Sequence, residues 1–408
     1  MTATRIAWAA TLVLGGVAAA LLWQTEVPGD LRLPEVRAEE LFPRAHLEET
    51  ADYARGHRLI RLGADAAMLV ALALLAWRAP SLARRLRGPE LVRTLVLLGA
   101  ALAAVWLARL PFGLAAQWWR RRHEISEQGY VDWLLWPWAE LLGTAAAAAV
   151  ALVVAAGLER RLGRRWWLAG GPVLAALGAA VILAQPLLWA PRLEPLRDPA
   201  LAADVRALAD ELGVDVRSVE VKEAGDRTVR ANAEVAGIGP TRRVVLWDTL
   251  LDGRFERGEI RWIAAHELAH VGRHHLWKGL AWFALLSLPI AWLVARATAR
   301  RGGIGRPAAV PVAVLVLVAV ELALLPFANV VSRRYEAEAD WLALTATGDP
   351  GAASSLLRRL SLTGLSQPDP PGAWHAVFGT HPTLVDRIAM ARAWEARRQP
   401  TSEAGPGG

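Results

Sequence analysis

The chain has 408 residues, 54% of them hydrophobic, with no cysteine and a formal net charge of +7. It is more apolar than a soluble domain of this length, and the lack of cysteine excludes disulfides, thiolate chemistry and thiolate metal ligands. The positive charge is almost all Arg, clustered in short segments between apolar runs, so it reads as membrane-flanking charge and not as a nucleic-acid patch.

The first apolar run is Ile6–Trp23. No small-x-small cleavage site with a soluble sequel follows it, so it reads as a retained helix. Residues 24–58 are polar, and Leu47–Leu62 has the pattern of an amphipathic helix feeding the next span. Further apolar runs are Leu62–Trp77, Thr94–Trp119, Leu141–Gly157, Trp166–Trp189, Leu276–Val294 and Ala308–Phe327. Each is close to the ~20 residues that cross a hydrocarbon core. Trp23, Trp77, Trp118, Trp119, Trp166, Trp167 and Trp189 mark run ends, as expected at a membrane–water interface. The chain therefore reads as a polytopic α-helical membrane protein with about seven transmembrane helices. Asp65, Arg109 and Glu321 lie in or near these runs and should face a polar interior or pair between helices.

Residues 1–189 form the N-terminal membrane part, with about five spans. Residues 190–275 are a polar α+β segment, 276–327 hold spans six and seven, 328–398 are helical again, and the Pro/Gly/Ser-rich tail 399–408 is expected to be disordered. Within the polar middle, Asp198–Gly213 has helical spacing. Val219–Lys222, Thr228–Val235 and Arg242–Trp247 read as strands, with a turn at 237–240. Gly258–His275 reads as a helix running on into the sixth span. Helices are also expected over Ser332–Ala346, Gly351–Thr363 and Thr383–Arg397.

Helix Gly258–His275 carries His266-Glu267-Leu268-Ala269-His270, an H-E-x-x-H pattern. Positions i and i+4 share one helical face, so two imidazoles can hold one metal ion while Glu267 reaches a water beside it. Without thiolates, a catalytic zinc needs a third ligand from His or a carboxylate. Glu336 and Asp340 are again i and i+4: Glu336 can ligate, and Asp340 can accept from the far side of a ligand imidazole. The competing reading is a solvated acidic face, with Glu336 paired to Arg333 or Arg334. Glu338 points to another face and is the weaker candidate. His381, in Thr380-His381-Pro382-Thr383, can donate to an oxyanion or be structural, with Thr380 as a helix cap. His274, i+4 from His270, lies another turn along, too far to complete a tight zinc shell, and is given a minor role.

Five stretches together resemble integral-membrane zinc metallopeptidases of the CAAX prenyl protease 1 type: Arg227–Gly239 with Asn232-Ala233, Arg243–Leu251, H-E-x-x-H followed by His275, S-R-x-x-E-x-x-A-D at 332–340, and H-P-x-x-x-x-R at 381–387. The likeness runs from about Leu193 to Arg392, and more loosely over the spans and the Tyr53-containing segment. It implies a zincin-like α+β gluzincin catalytic domain and a helical barrel around a large chamber. It implies one zinc ion held by His266, His270 and Glu336, Glu267 as general base, and Asp340 behind a ligand. It further implies His381 and Arg387 near the substrate, and Asn232 and Ala233 lining it. Ala269 stands where Gly is usual and Glu234 where an aromatic is usual, so the wall touching the peptide differs.

The expected function is membrane-embedded metalloendopeptidase, with peptide or membrane-protein substrates, no nucleic acid, and a bacterial cell membrane as location. Quality control of membrane proteins, as in the related heat-shock membrane proteases, is the alternative within the class. A non-catalytic zinc-binding scaffold or transporter is the alternative outside it. Arg-rich loops after the second, fourth and sixth spans place those loops in the cytoplasm and the zinc domain outside by the positive-inside rule, whereas the resemblance implies the cytoplasmic side for the zinc domain.

Overall fold

The computed structural model describes residues 3–188 and 193–398. Trp189 and the tail 399–408 lie outside the described residues. The membrane part begins with α1 (Ala3–Leu22), a short α2 (Ala38–Leu41), α3 (Arg44–Arg85) and α4 (Glu90–Arg122). It continues with α5 (Tyr130–Leu135), α6 (Trp138–Leu162) and α7 (Trp167–Leu188). Among the described residues six helical segments are long and apolar enough to cross a membrane: Arg44–Arg85, Glu90–Arg122, Tyr130–Arg165, Trp167–Ala184, His275–Ala299 and Pro307–Thr347. The seventh expected span is α1, whose described apolar part, Leu12–Leu22, is shorter. The amphipathic stretch after Leu47 and the second span are one 42-residue helix, α3. Asp65 does meet partners, with Arg109 Nη1 at 3.3 Å and Arg61 Nε at 3.6 Å. Glu321 is exposed on its helix. A cavity of about 1270 Å³ lies among α3, α4, α5 and α6, with Arg58, Arg109, Arg120 and Arg230 on its wall beside Trp106 and Trp138.

The polar middle folds as β1 (Leu193–Pro195), α8 (Pro199–Glu211), β2 (Ser218–Lys222), β3 (Ala233–Ala236) and β4 (Arg243–Trp247). Asp198 caps α8, its Oδ1 accepting from the Ala200 and Leu201 amides at 2.9 and 3.0 Å. The strand order is β1-β2-β4-β3, with β2 and β4 parallel and the other pairs antiparallel. β4 reads Val244-Val245-Leu246 without alternation because all three residues are buried at the centre of the sheet. β1 and β3 are the two edge strands. Thr228–Asn232, expected as strand, is irregular instead. Its Val229 amide and Thr228 Oγ1 both turn to the Ile125 carbonyl, at 3.3 and 3.2 Å.

Next come α9 (Arg257–Gly272), α10 (His275–Ala299), α11 (Val310–Thr347), α12 (Pro350–Gly364), α13 (Gly372–Phe378) and α14 (Leu384–Arg398). α9 starts with a capping box, in which Glu259 accepts from the Glu256 amide at 2.7 Å. Its inner face packs Ile260, Ile263, Ala264 and Leu268 against Val205, Leu208, Val244 and Leu246 of α8 and β4. The expected continuous run from α9 into the sixth span does not form. The chain breaks at His274, which is left-handed at φ +57° and whose Nδ1 caps the Val271 carbonyl at 3.1 Å. Gly272 allows the close approach there, since a Cβ would meet the Leu212 carbonyl oxygen at 2.9 Å. Conversely α11 is unbroken for 38 residues, joining the last span to the segment that carries Glu336 and Asp340.

Candidate metal centre

α9 presents His266 and His270 one turn apart, and α11 crosses it to present Glu336. Three donor atoms converge: His266 Nε2 is 3.2 Å from His270 Nε2 and 3.3 Å from Glu336 Oε2, and His270 Nε2 is 3.6 Å from that oxygen. Ligand atoms around a tetrahedral zinc stand about 3.3–3.4 Å apart, given bonds of about 2.0–2.1 Å. Glu336 Oε2 is buried and no donor is aligned with it, although three imidazole nitrogens lie nearby. The triangle therefore fits a small cation with neutral nitrogen and carboxylate ligands. Electrostatics agree. Burial pushes the His266 imidazole down, but Asp340 and Glu336 outweigh it and raise it to about 10. The pocket thus favours positive charge.

Each imidazole is held from behind. His266 Nδ1 faces Asp340 Oδ1 at 2.9 Å, and Arg387 grips the same carboxylate with two bonds of 2.7 and 2.8 Å. Arg387 also stacks over the Trp262 ring. Burial lowers the Arg387 guanidinium, and the Asp340 charge more than offsets it. Arg387 thus meets the site through Asp340.

Behind His270 runs a second relay. His270 Nδ1 is 2.8 Å from His275 Nδ1, and His275 Nε2 is 2.9 Å from Glu338 Oε2. Glu338 is fully buried and also accepts from Arg273 Nε at 2.8 Å and the Glu26 amide at 2.9 Å. A carboxylate can only accept, so His275 carries its proton on Nε2 and leaves Nδ1 bare. His270 must then donate from Nδ1, which frees its Nε2 lone pair for a metal. Glu338, the weaker candidate by spacing, and His275 are the residues that set this tautomer. The pairing of Glu336 with Arg333 or Arg334 does not occur. Arg333 instead donates to the His375 and Gly379 carbonyls at 3.0 and 2.6 Å, and Arg334 to the Trp23 carbonyl at 2.5 Å.

Those Arg333 bonds, with His375 Nε2 donating to the His381 carbonyl at 2.7 Å, fix the loop that delivers His381. His381 Nε2 lies 3.1 Å from Glu336 Oε2, and its Nδ1 lies 2.8 Å from Thr380 Oγ1. Burial lowers its imidazole, with Arg387 and His266 adding to the fall and Glu336 opposing it. Thr380 is thus engaged with the ring, and the cap of α14 is Thr383, whose Oγ1 accepts from the Asp386 amide at 3.0 Å.

Glu267, half-buried next to the triangle, has its carboxyl raised by burial. Glu336 and Glu234 add to the rise, and His266 and His270 oppose it. Asn232 is exposed at the start of β3, its carbonyl accepting from the Trp247 amide at 3.0 Å. Ala233 is buried opposite Leu246. Given that register, the backbone N–H and C=O groups of Ala233 and Val235 point away from β4, to the open edge. Glu234 is tied to Lys222 Nζ at 2.9 Å.

Residues 195–395 match the model of peptidase family M48. An uncharacterized metalloprotease, YhfN, from Bacillus subtilis (strain 168) is 31% identical over 251 residues, covering 58% of this chain and 59% of its own. A CAAX prenyl protease 1 homolog from Oryza sativa subsp. japonica is 24% identical, covering 56% and 58%. The chain thus spans about three fifths of the length of these relatives. The crystal structure of S. mikatae Ste24p shares the fold, with a TM-score of 0.72 over 95% of this chain and 98% of that one at 18% identity. With its six apolar spans among the described residues and that shared fold, the chain is a multi-pass membrane protein that matches peptidase family M48 over residues 195–395.

Proposed function

We propose that the chain is a membrane-embedded zinc metalloendopeptidase with one zinc held by His266, His270 and Glu336. The observation that carries this is the donor triangle of 3.2, 3.3 and 3.6 Å with Glu267 beside it. Zinc bound there supplies Lewis acidity, making water more acidic and a carbonyl more electrophilic. Glu267, its carboxyl raised toward the working pH range by burial, takes the proton from the attacking water and returns it to the leaving amine. His381, half exposed, turns its Nε2–H to the developing oxyanion. The open edge of β3 pairs with the peptide in extended form, placing its scissile bond alongside α9. Asp340 with Arg387, and His275 with Glu338, keep both imidazoles in the metal-binding tautomer.

The substrate is a peptide segment delivered at the membrane, and the location is a bacterial cell membrane; the Bacillus subtilis relative supports the latter. Glu267→Gln should keep the bound zinc and abolish cleavage of an unfolded membrane-protein substrate. Cleavage at the wild-type rate by the zinc-loaded variant refutes the assignment.

A further inference from the structure

α10 begins beside His270 and runs 25 residues, about 37 Å, to the opposite membrane face. There the turn between α10 and α11 meets the α3–α4 turn. Together they enclose a recess of about 340 Å³, whose lining includes Pro80, Arg84, Glu90, Arg93, Arg301 and Arg306. Four guanidinium groups thus face a single carboxylate. Arg306 Nη1 pairs with Glu90 Oε2 at 2.7 Å, and Arg93 Nη2 donates to the Ala83 carbonyl at 2.5 Å. Arg84 and Arg301 have no side-chain partner among the described residues. Two nitrogens, Arg93 Nε and Arg301 Nη1, are buried and unpartnered. A buried donor left unpaired is costly, so these atoms ask for an acceptor.

The walls are fixed in place. Glu159 Oε2 on α6 accepts from the Gly305 amide at 2.9 Å, and Thr94 Oγ1 donates to the Gly305 carbonyl at 3.3 Å. Gly303 sits at φ +99°, where a Cβ would lie 2.1 Å from Glu159 Oε1. The turn is therefore held in one conformation without any ligand. Its surroundings are those of a lipid boundary. Trp77, Leu91, Val92 and Val96 on α3 and α4 are exposed apolar side chains flanking the arginines. A phosphodiester offers two unprotonated oxygens to planar guanidinium forks, and its acyl chains would lie along Leu91, Val92 and Val96.

We propose that this recess binds the phosphodiester headgroup of an anionic phospholipid from the surrounding bilayer. Basic pockets between spanning helices suit such headgroups. The site is independent of the peptidase reading, being at the other end of α10 and α11.

The test uses the full chain, purified in detergent, with phosphatidylglycerol, phosphatidylcholine or inorganic phosphate added. Native mass spectrometry counts retained lipid, and thermal unfolding reports its effect. Wild type should retain phosphatidylglycerol roughly tenfold more tightly than phosphatidylcholine, as expected for charge-assisted bonds. Arg84→Gln with Arg301→Gln breaks no side-chain hydrogen bond or ion pair among the described residues. It should remove that preference while leaving lipid-free unfolding and phosphatidylcholine retention unchanged. Equal retention of the two lipids overturns the proposal. So does an unchanged preference in the double variant, or displacement of phosphatidylglycerol by equimolar inorganic phosphate, which would mark a soluble-anion site.

Discussion

Replacing Glu338 by Gln should weaken zinc binding without touching a ligand. The carboxylate is fully buried and receives His275 Nε2, Arg273 Nε and the Glu26 amide at 2.8–2.9 Å, with Lys278 Nζ at 3.4 Å. Gln keeps the shape but turns an NH₂ group toward two of these donors. His275 then relieves the clash by moving its proton to Nδ1, where it opposes the proton on His270 Nδ1. If His270 shifts its own proton to Nε2, it loses the lone pair that binds the metal. Partners behind a ligand imidazole cost about 10–100-fold in metal affinity when lost, which is about 1.4–2.7 kcal/mol. Full burial of Glu338 puts this variant toward the upper figure. Competition with a chromogenic chelator measures the affinity, and peptide cleavage should recover at saturating zinc. His275→Phe removes the middle of the relay. Combined with Glu338→Gln it should cost little more than either change alone, because both act through His270. A zinc affinity within twofold of wild type in the folded variant, or fully additive losses, refutes the relay.

Arg387→Met strips Asp340 of its two guanidinium bonds and leaves a buried carboxylate; unfolding should show a loss of about 3–5 kcal/mol. Stability like that of wild type would mean that Asp340 is held by His266 alone. Gly237→Ala is strained twice over. Its φ is +91°, and a Cβ would stand 2.3 Å from the Thr241 carbonyl oxygen. A loss of about 1–3 kcal/mol is expected, with lower affinity for peptide at the β3 edge; a melting temperature equal to wild type counts against that turn. Removing zinc by chelation should lower the melting temperature reversibly, because the ligands clamp α9 to α11. Free zinc at 1,000 times the dissociation constant contributes about 4.1 kcal/mol. A melting curve blind to zinc would place the ion elsewhere.

The convergence of His266, His270 and Glu336 was legible because both halves of the trio sit on helices, where i and i+4 mean one face. Glu338 was not, for the same reason. At i+2 from Glu336 it must point elsewhere, and only the fold shows that His275 waits there. The turn that brings His275 back depends on His274, a non-glycine residue in left-handed geometry, while the nearby Gly272 serves the approach to Leu212 and not that turn's positive φ. Hydropathy also misled between Phe327 and Ser332, where the expected span ends but α11 runs on into the charged Arg333-Arg334 stretch. The side chains there enter a polar setting while the backbone continues as helix. Thr228–Asn232 has strand composition, yet the Ile125 carbonyl, about a hundred residues away in sequence, claims its donors.

The connectivity of α9, α10 and α11 bears on biosynthesis. His266 and His270 leave the ribosome before the hairpin of α10 and α11, and Glu336 arrives only at its far end. Glu336 can reach the two histidines only when that hairpin has folded back across the bilayer. A chain stalled before insertion holds two histidines and no closed shell. On the proposed reading, the metal centre is therefore completed only once that hairpin is in the membrane.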